Sequence, residues 1–220
     1  MKLLISALTK FTVGLLFVSA LLFIPGGFDF PGAWLFLALL FVPMLFLGII
    51  LYIKAPKLLE KRLDAKEKQG AQKGVLAVSS LVFITGFVVA GLDNRFSWSK
   101  IPPAVVTVAS VVLLVSYALY AEVMRENAYL SRTVKVEEGQ KVVDKGLYSI
   151  VRHPMYAVTI WLFFSIPIVL GSLFSLICFL PYVFAIVARI INEEKLLEKE
   201  LDGYADYKKK VKYRLFPFIW

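Results

Sequence analysis

The residues best equipped for chemistry lie in the last third of the chain. Arg152-His153-Pro154-Met155-Tyr156 contains the only histidine and leads straight into a long apolar run. A proline opening an apolar helix marks a helix N-terminus, whose free amides and positive dipole end suit an anion. Farther on, Arg189, Asn192, Glu193 and Glu194 close the last apolar run. Arg189 and Glu193 are four apart and share one helical face, an arginine for an anionic group beside a carboxylate for a cationic or hydroxylated one. The next residue on that face is Leu197, where the polar stripe stops, and Glu194 is turned away by about a third of a circle. Each feature also has a purely structural reading: His153 as a helix N-cap, and Arg189 with Glu193 as a salt bridge closing a helix end.

Other chemistries fall away. No second histidine and no cysteine lies near a polar segment, and no paired-aspartate motif occurs, so no metal site is expected. No glycine-rich loop follows a strand to cradle a nucleotide. Ser149 or Ser131 could partner His153 in a hydrolase, yet no nucleophile elbow surrounds either. What remains is a pocket with one helix N-terminus, one arginine, at least one glutamate and several tyrosines.

The elements that must position this pocket are membrane helices. A hydrophobic fraction of 59% and a mean hydropathy of +0.75 are far above soluble averages. Apolar spans are expected at 3–24, 33–53, 74–92 and 101–122. The first is read as a span whose Lys10 snorkels to the interface, in preference to a cleaved signal peptide. Residues 155–191 are too long for one upright span and too short for two full ones. Pro167 and Gly171-Ser172 break the run, so a hairpin of two shortened or tilted helices is expected. The charged run 54–73 reads as a solvated connector ahead of an amphipathic surface helix, although Leu58, Leu59 and Leu63 fit one helical face. In the polar interval 122–153, Val134-Lys135-Val136 and Lys141-Val142-Val143 could pass for short strands. The lone Cys178 excludes a disulfide framework.

The net charge of +9 is a topology signal, and no nucleic-acid partner is expected. Basic residues crowd 54–73, 122–153 and the tail, while the alternate loops carry only Arg95 and Lys100. Both termini and all three basic segments are therefore expected on the cytoplasmic side. This puts His153 and Glu193 on one membrane face.

Gly146-Leu147-Tyr148 through Arg152-His153-Pro154-Met155-Tyr156, then Arg189 to Glu193-Glu194, then Tyr204-Ala205-Asp206-Tyr207-Lys208-Lys209 resembles the isoprenylcysteine carboxyl methyltransferase family and its phospholipid methyltransferase relatives. The resemblance covers about the last ninety residues; the first four spans match only in character. It implies an all-α integral membrane protein of about six transmembrane helices, with 1–124 as a helical N-terminal part and 125–220 as the catalytic, cofactor-binding part. It implies S-adenosylmethionine as cofactor, with contacts at Gln140, Lys141, Val142, Val143, Tyr148, His153, Pro154, Met155, Tyr156 and Glu193. Arg189 matches the arginine that faces the substrate carboxylate in the carboxyl methyltransferases. Val158 departs from the glycine that the family often has there.

On physical grounds the cofactor carboxylate suits the helix start at His153 and Pro154, its ammonium and ribose suit Glu193, and its adenine suits Tyr148 with Val142 and Val143. A carboxylate acceptor is already ionised near neutral pH and needs no general base. An amine acceptor would need deprotonation, with Glu194 as the nearest candidate base. A prenylcysteine-like carboxylate is the expected acceptor, with a phospholipid amine or a thiol as alternatives. An NADPH-dependent, sterol-reductase-like enzyme and a non-enzymatic scaffold are remoter ones. The substrate is expected to come from the bilayer, with no obligate protein partner. The expected membrane is a prokaryotic plasma membrane, or the endoplasmic reticulum in a eukaryote.

Overall fold

The computed structural model describes residues 2–64, 70–130 and 136–220, and among these every regular element is helical. In chain order the helices are α1 (Lys2–Gly26), α2 (Pro31–Lys54), α3 (Pro56–Leu63), α4 (Gly70–Phe96), α5 (Pro103–Glu126), α6 (Pro154–Val169), α7 (Leu173–Phe179), α8 (Pro181–Glu200) and α9 (Tyr204–Lys210). A short 3-10 turn, Gly146–Ser149, stands between α5 and α6. Five of the helices start on a proline, at 31, 56, 103, 154 and 181. At that position the missing N–H costs no helical hydrogen bond and the fixed φ is already helical. Prolines thus set the helix starts along much of the chain.

Five stretches are long and apolar enough to cross a membrane: α1, α2, Gln72–Phe96 of α4, α5, and Leu173–Glu200, which joins α7 to α8. Their outward faces carry large exposed apolar side chains such as Leu16, Phe17, Phe46 and Ile53, an arrangement that suits lipid and not water. The sixth expected crossing, α6, is apolar but has only 16 residues. At 1.5 Å per residue it reaches roughly 24 Å, less than the hydrocarbon thickness of about 30 Å.

The hairpin differs from its expected form. Only its first leg is short; the return leg runs for 28 residues and leaves the apolar zone before it ends. Pro167 lies inside the last turns of α6 and does not break it. The break on the return leg is at Leu180, where Pro181 has no amide to continue the ladder. The two expected strands fare alike where they can be followed. Lys141 to Val143 belongs to no helix and joins no ladder, while Val134 and Lys135 lie outside the described residues, as do Lys66, Lys68, Ser131 and Arg132. The first part of the charged run is a helix, α3, with Leu58 and Leu59 buried. Its apolar face is packed, so it is more than a solvated connector.

The helices pack around an aromatic core. Phe83 of α4 meets Phe163, Phe179 and Tyr182 edge-on, with ring centroids 4.7, 5.2 and 5.8 Å away. Such a close approach of α4 to α7 needs Gly86, where an added Cβ would sit 2.3 Å from the Phe179 ring. Lys10 of α1 donates to the Leu63 carbonyl at the end of α3. Lys61 reaches the Ala128 carbonyl at 3.3 Å and the Glu137 carboxylate at 2.5 Å. Arg62 of α3 also lies 3.8 Å from Met155 Sδ, so the start of α1, helix α3, the end of α5 and the start of α6 meet at one end of the bundle.

Candidate functional site

That end holds a cleft of about 840 Å³, part of it open to solvent. One wall is a stripe along α8 in which Arg189, Glu193, Leu197 and Leu201 follow one another at intervals of four. The polar stripe seen in the sequence does end at Leu197, but the cleft continues past it. Its upper half is polar and its lower half apolar.

The opposite wall is built by the polar interval. Glu126, the last residue of α5, accepts from the Leu147 amide through both carboxylate oxygens, at 3.1 and 2.9 Å. This anchors the 3-10 turn, and only glycine fits beside it. Gly146 has φ +58°, and a Cβ there would come 1.7 Å from the Glu126 carboxylate. The turn presents Tyr148, whose hydroxyl accepts from Asn127 Nδ2 at 3.0 Å and whose carbonyl accepts from the Tyr207 hydroxyl at 2.7 Å. Burial pushes the Tyr148 and Tyr207 phenols above their ordinary range, although the Asn127 hydrogen bond pulls Tyr148 the other way. Gln140 closes the 137–140 turn by accepting from the Glu137 amide at 2.9 Å, which sets Lys141, Val142 and Val143 along the cleft.

Between the walls runs a short hydrogen-bond chain. Arg189 Nε donates to the Tyr156 hydroxyl at 2.8 Å, and that hydroxyl donates to Glu193 at 2.5 Å. Arg189 and Tyr156 are both buried and both line the cleft. The His153 and Tyr156 rings stack with centroids 5.8 Å apart.

The cleft gathers Gln140, Lys141, Val142, Val143, Tyr148, His153, Met155, Tyr156, Arg189 and Glu193. Pro154 is buried at the start of α6 and does not line it. The helix start is also less open to an anion than the sequence suggested. The His153 amide donates to the Arg214 carbonyl at 2.9 Å, and Pro154 has no amide.

Glu194 requires a correction. It faces away from the cleft toward three cations, Arg152 Nε at 2.7 Å, Arg214 Nε at 2.9 Å and Lys208 Nζ at 4.0 Å, with His153 Nε2 also at 3.2 Å. A carboxylate held by several positive charges is a poor proton acceptor, and Glu194 does not line the cleft. Its surroundings are those of a structural hub and do not suit the expected role of base. Through it the tail is fastened to the site: Arg152 also donates to the Val211 and Lys212 carbonyls at 2.7 and 2.8 Å. Val158 is likewise accounted for, packed with Val123 and Tyr148 between α6 and α5. Its side chain fills that seam and does not line the cleft.

Sequence reasoning missed several lining residues. Asn127, Tyr129 and Leu130 carry no pattern that announces them. Leu197 and Leu201 were legible from the four-residue spacing. Tyr204 and Tyr207 belonged to the recognised motif but had no role assigned. Tyr204 is 4% exposed, and its hydroxyl has no hydrogen-bond partner among the described residues.

A helical membrane protein with a polar cleft at one end of its C-terminal helices is the class these observations define. Residues 103–202, from the first residue of α5 to just past α8, match the family model described as phospholipid methyltransferase. The match is consistent with the integral membrane methyltransferase family that the motif resembles. None of the curated proteins compared with the chain matches it.

Proposed function

We propose that this membrane methyltransferase uses S-adenosylmethionine and methylates the carboxylate of a prenylcysteine-like lipid. The observation that carries this reading is the buried Arg189–Tyr156–Glu193 chain inside the cleft. It sets a fixed cation and an acid side by side, the pair needed to hold an anionic acceptor next to a cationic cofactor.

The residues present fit the cofactor. Glu193 supplies an acceptor for an ammonium or ribose hydroxyls, the Met155 end of α6 offers a dipole to a carboxylate, and Val142, Leu197 and Leu201 offer an apolar slot for a base. When bound, the cofactor supplies an electrophilic methyl group on a sulfonium. The protein's own task is alignment and exclusion of water. Arg189 holds the acceptor oxygen in line, with its own position fixed by Tyr156. Burial of that chain keeps the acceptor poorly hydrated, which favours its attack. Loss of Glu194 as a base weakens the amine alternative and costs the carboxylate reading nothing.

The distribution of charge supports a cytoplasmic cleft. Its end of the bundle carries Lys61, Arg62, Lys141, Lys145, Lys208 and Arg214, and the opposite end has far fewer cations. The cofactor would enter from the cytoplasm, and a lipid-tailed acceptor sideways, beside the short α6. A second reading, N-methylation of a phospholipid amine, is favoured by the family match itself.

Transfer of a labelled methyl group to farnesylcysteine analogues and to fractionated membrane lipids separates the two. Label on farnesylcysteine is expected; label only on aminophospholipid overturns the carboxylate reading. Arg189→Lys is expected to lower carboxylate methylation at least a hundredfold while adenosylhomocysteine affinity changes by less than about threefold, because lysine lacks the planar fork. Unchanged turnover in that variant would sink the assigned role.

A further inference from the structure

Two tyrosines face the apolar half of the cleft from the tail side, and they differ in one respect. The Tyr207 hydroxyl is committed to the Tyr148 carbonyl. The Tyr204 hydroxyl is buried and unpaired among the described residues, although its ring is packed with Tyr207, Leu201 and Val211 and with Val142 and Leu197 nearby. A buried hydroxyl without a partner pays for its desolvation with no bond in return, so it is an unusual thing for a fold to keep. This one lies in a residue that lines the cleft.

The surroundings limit what would satisfy it. Val142, Leu197, Leu201 and the two rings make a slot that suits a flat, weakly polar ring system. The charged parts of a ligand belong at the other end, with Arg189 and Glu193. Tyr148, where the adenine was expected from the sequence, has its hydroxyl and carbonyl both engaged and offers only a ring face. We infer that the purine of the cofactor lies in the slot between Val142, Leu197 and Tyr204, and that the Tyr204 hydroxyl donates to a ring nitrogen of that purine. Burial, with the nearby Glu194 and Glu193 charges, pushes this phenol above its ordinary range, so it stays a donor. Tyr204 stands outside the family-matched 103–202. The purine subsite would thus be completed by the tail, which Glu194 fastens in place.

The inference rests on the S-adenosylmethionine reading and is tested by binding, not turnover. Calorimetric titration of the full-length protein in detergent uses adenosylhomocysteine and its 1-deaza, 3-deaza and 7-deaza analogues, each lacking one ring nitrogen. Tyr204→Phe keeps the ring and its packing. It is expected to weaken adenosylhomocysteine binding about three- to tenfold. One deaza analogue should bind wild type and Tyr204→Phe equally, since the partner of the hydroxyl is already gone. Equal penalties for all four ligands, or no penalty for any, would overturn the assignment, because a merely structural effect does not discriminate among ring nitrogens. Failure of the wild type to bind adenosylhomocysteine would sink the cofactor reading and this assignment together. Wild-type binding unchanged in Tyr204→Phe sinks this assignment alone.

Discussion

Each end of the helical bundle is tied by one buried carboxylate, and the two are satisfied in opposite ways. The Asp93 carboxylate, at the end of α4, accepts from neutral donors among the described residues: the Ser99 amide at 2.6 Å, the Ser99 hydroxyl at 2.7 Å and the Ser172 hydroxyl at 2.5 Å. The same two serines go on to organise the next helix. Ser172 caps the Ser175 amide at 3.0 Å, and Ser99 accepts from the Leu173 amide at 3.1 Å. Glu194, at the cleft end, is met by cations from the segment leading into α6, from α9 and from the tail. Neutral donors around Asp93 lose little when the charge goes. The cations around Glu194 would be left to repel one another. The far end is a stitch between turns, whereas the cleft end is an electrostatic clamp on the walls of the site.

The sharpest way to break this comparison is to remove the two charges with little change in shape. Glu194→Gln leaves Arg152, Arg214 and Lys208 clustered without their counter-charge. A loss of about 3–5 kcal/mol is the usual scale for breaking a buried pair on one side only. The tail should detach, adenosylhomocysteine binding should fall below detection, and residues 211–220 should become accessible to protease. Asp93→Asn keeps one acceptor oxygen and misplaces only part of the hydrogen-bond set, so a loss of about 1–3 kcal/mol is expected. Cofactor affinity should change by less than about twofold, because Asp93 touches nothing at the cleft. Thermal unfolding and calorimetry in nanodiscs read both variants. If Asp93→Asn proved as damaging to cofactor binding as Glu194→Gln, the two ends would not be functionally distinct.

The division between the ends also explains what was legible in the sequence. Helix starts were readable because proline marks them locally, as at Pro103 and Pro154. The α8 stripe was readable because helical spacing alone puts Arg189, Glu193 and Leu197 on one face. The role of Glu194 was not readable. Its partners lie 41 and 42 residues before it and 20 after it, and no local pattern separates a carboxylate facing a cleft from its neighbour facing a clamp. The hairpin was half readable for a similar reason. Pro167 and Pro181 look alike as breakers, yet Pro167 rides in the closing turns of α6, while Pro181 begins a new helix and leaves the return leg long. The membrane class was plain throughout, since it depends on composition.

A milder perturbation sharpens the same contrast. Tyr148, Tyr204 and Tyr207 at the cleft end are buried as neutral phenols, with burial as the main cause of their raised pKa values. A phenol harder to ionise when folded stabilises the fold fully below its unfolded pKa of about 10, and that contribution is lost as pH rises toward the folded value. Between neutral pH and about 9 these tyrosines should leave stability unchanged. Above about 10 the cleft end should loosen before the far end, which the Ser99 and Ser172 hydroxyls hold together. Protease susceptibility, followed by mass spectrometry across this pH range, reports the order of opening. Cleavage within 204–220 should appear at lower pH than cleavage near Ser99 or Ser172. Simultaneous opening would mean that the clamp and the stitch are one cooperative unit, and that the cleft end has no stability of its own to regulate.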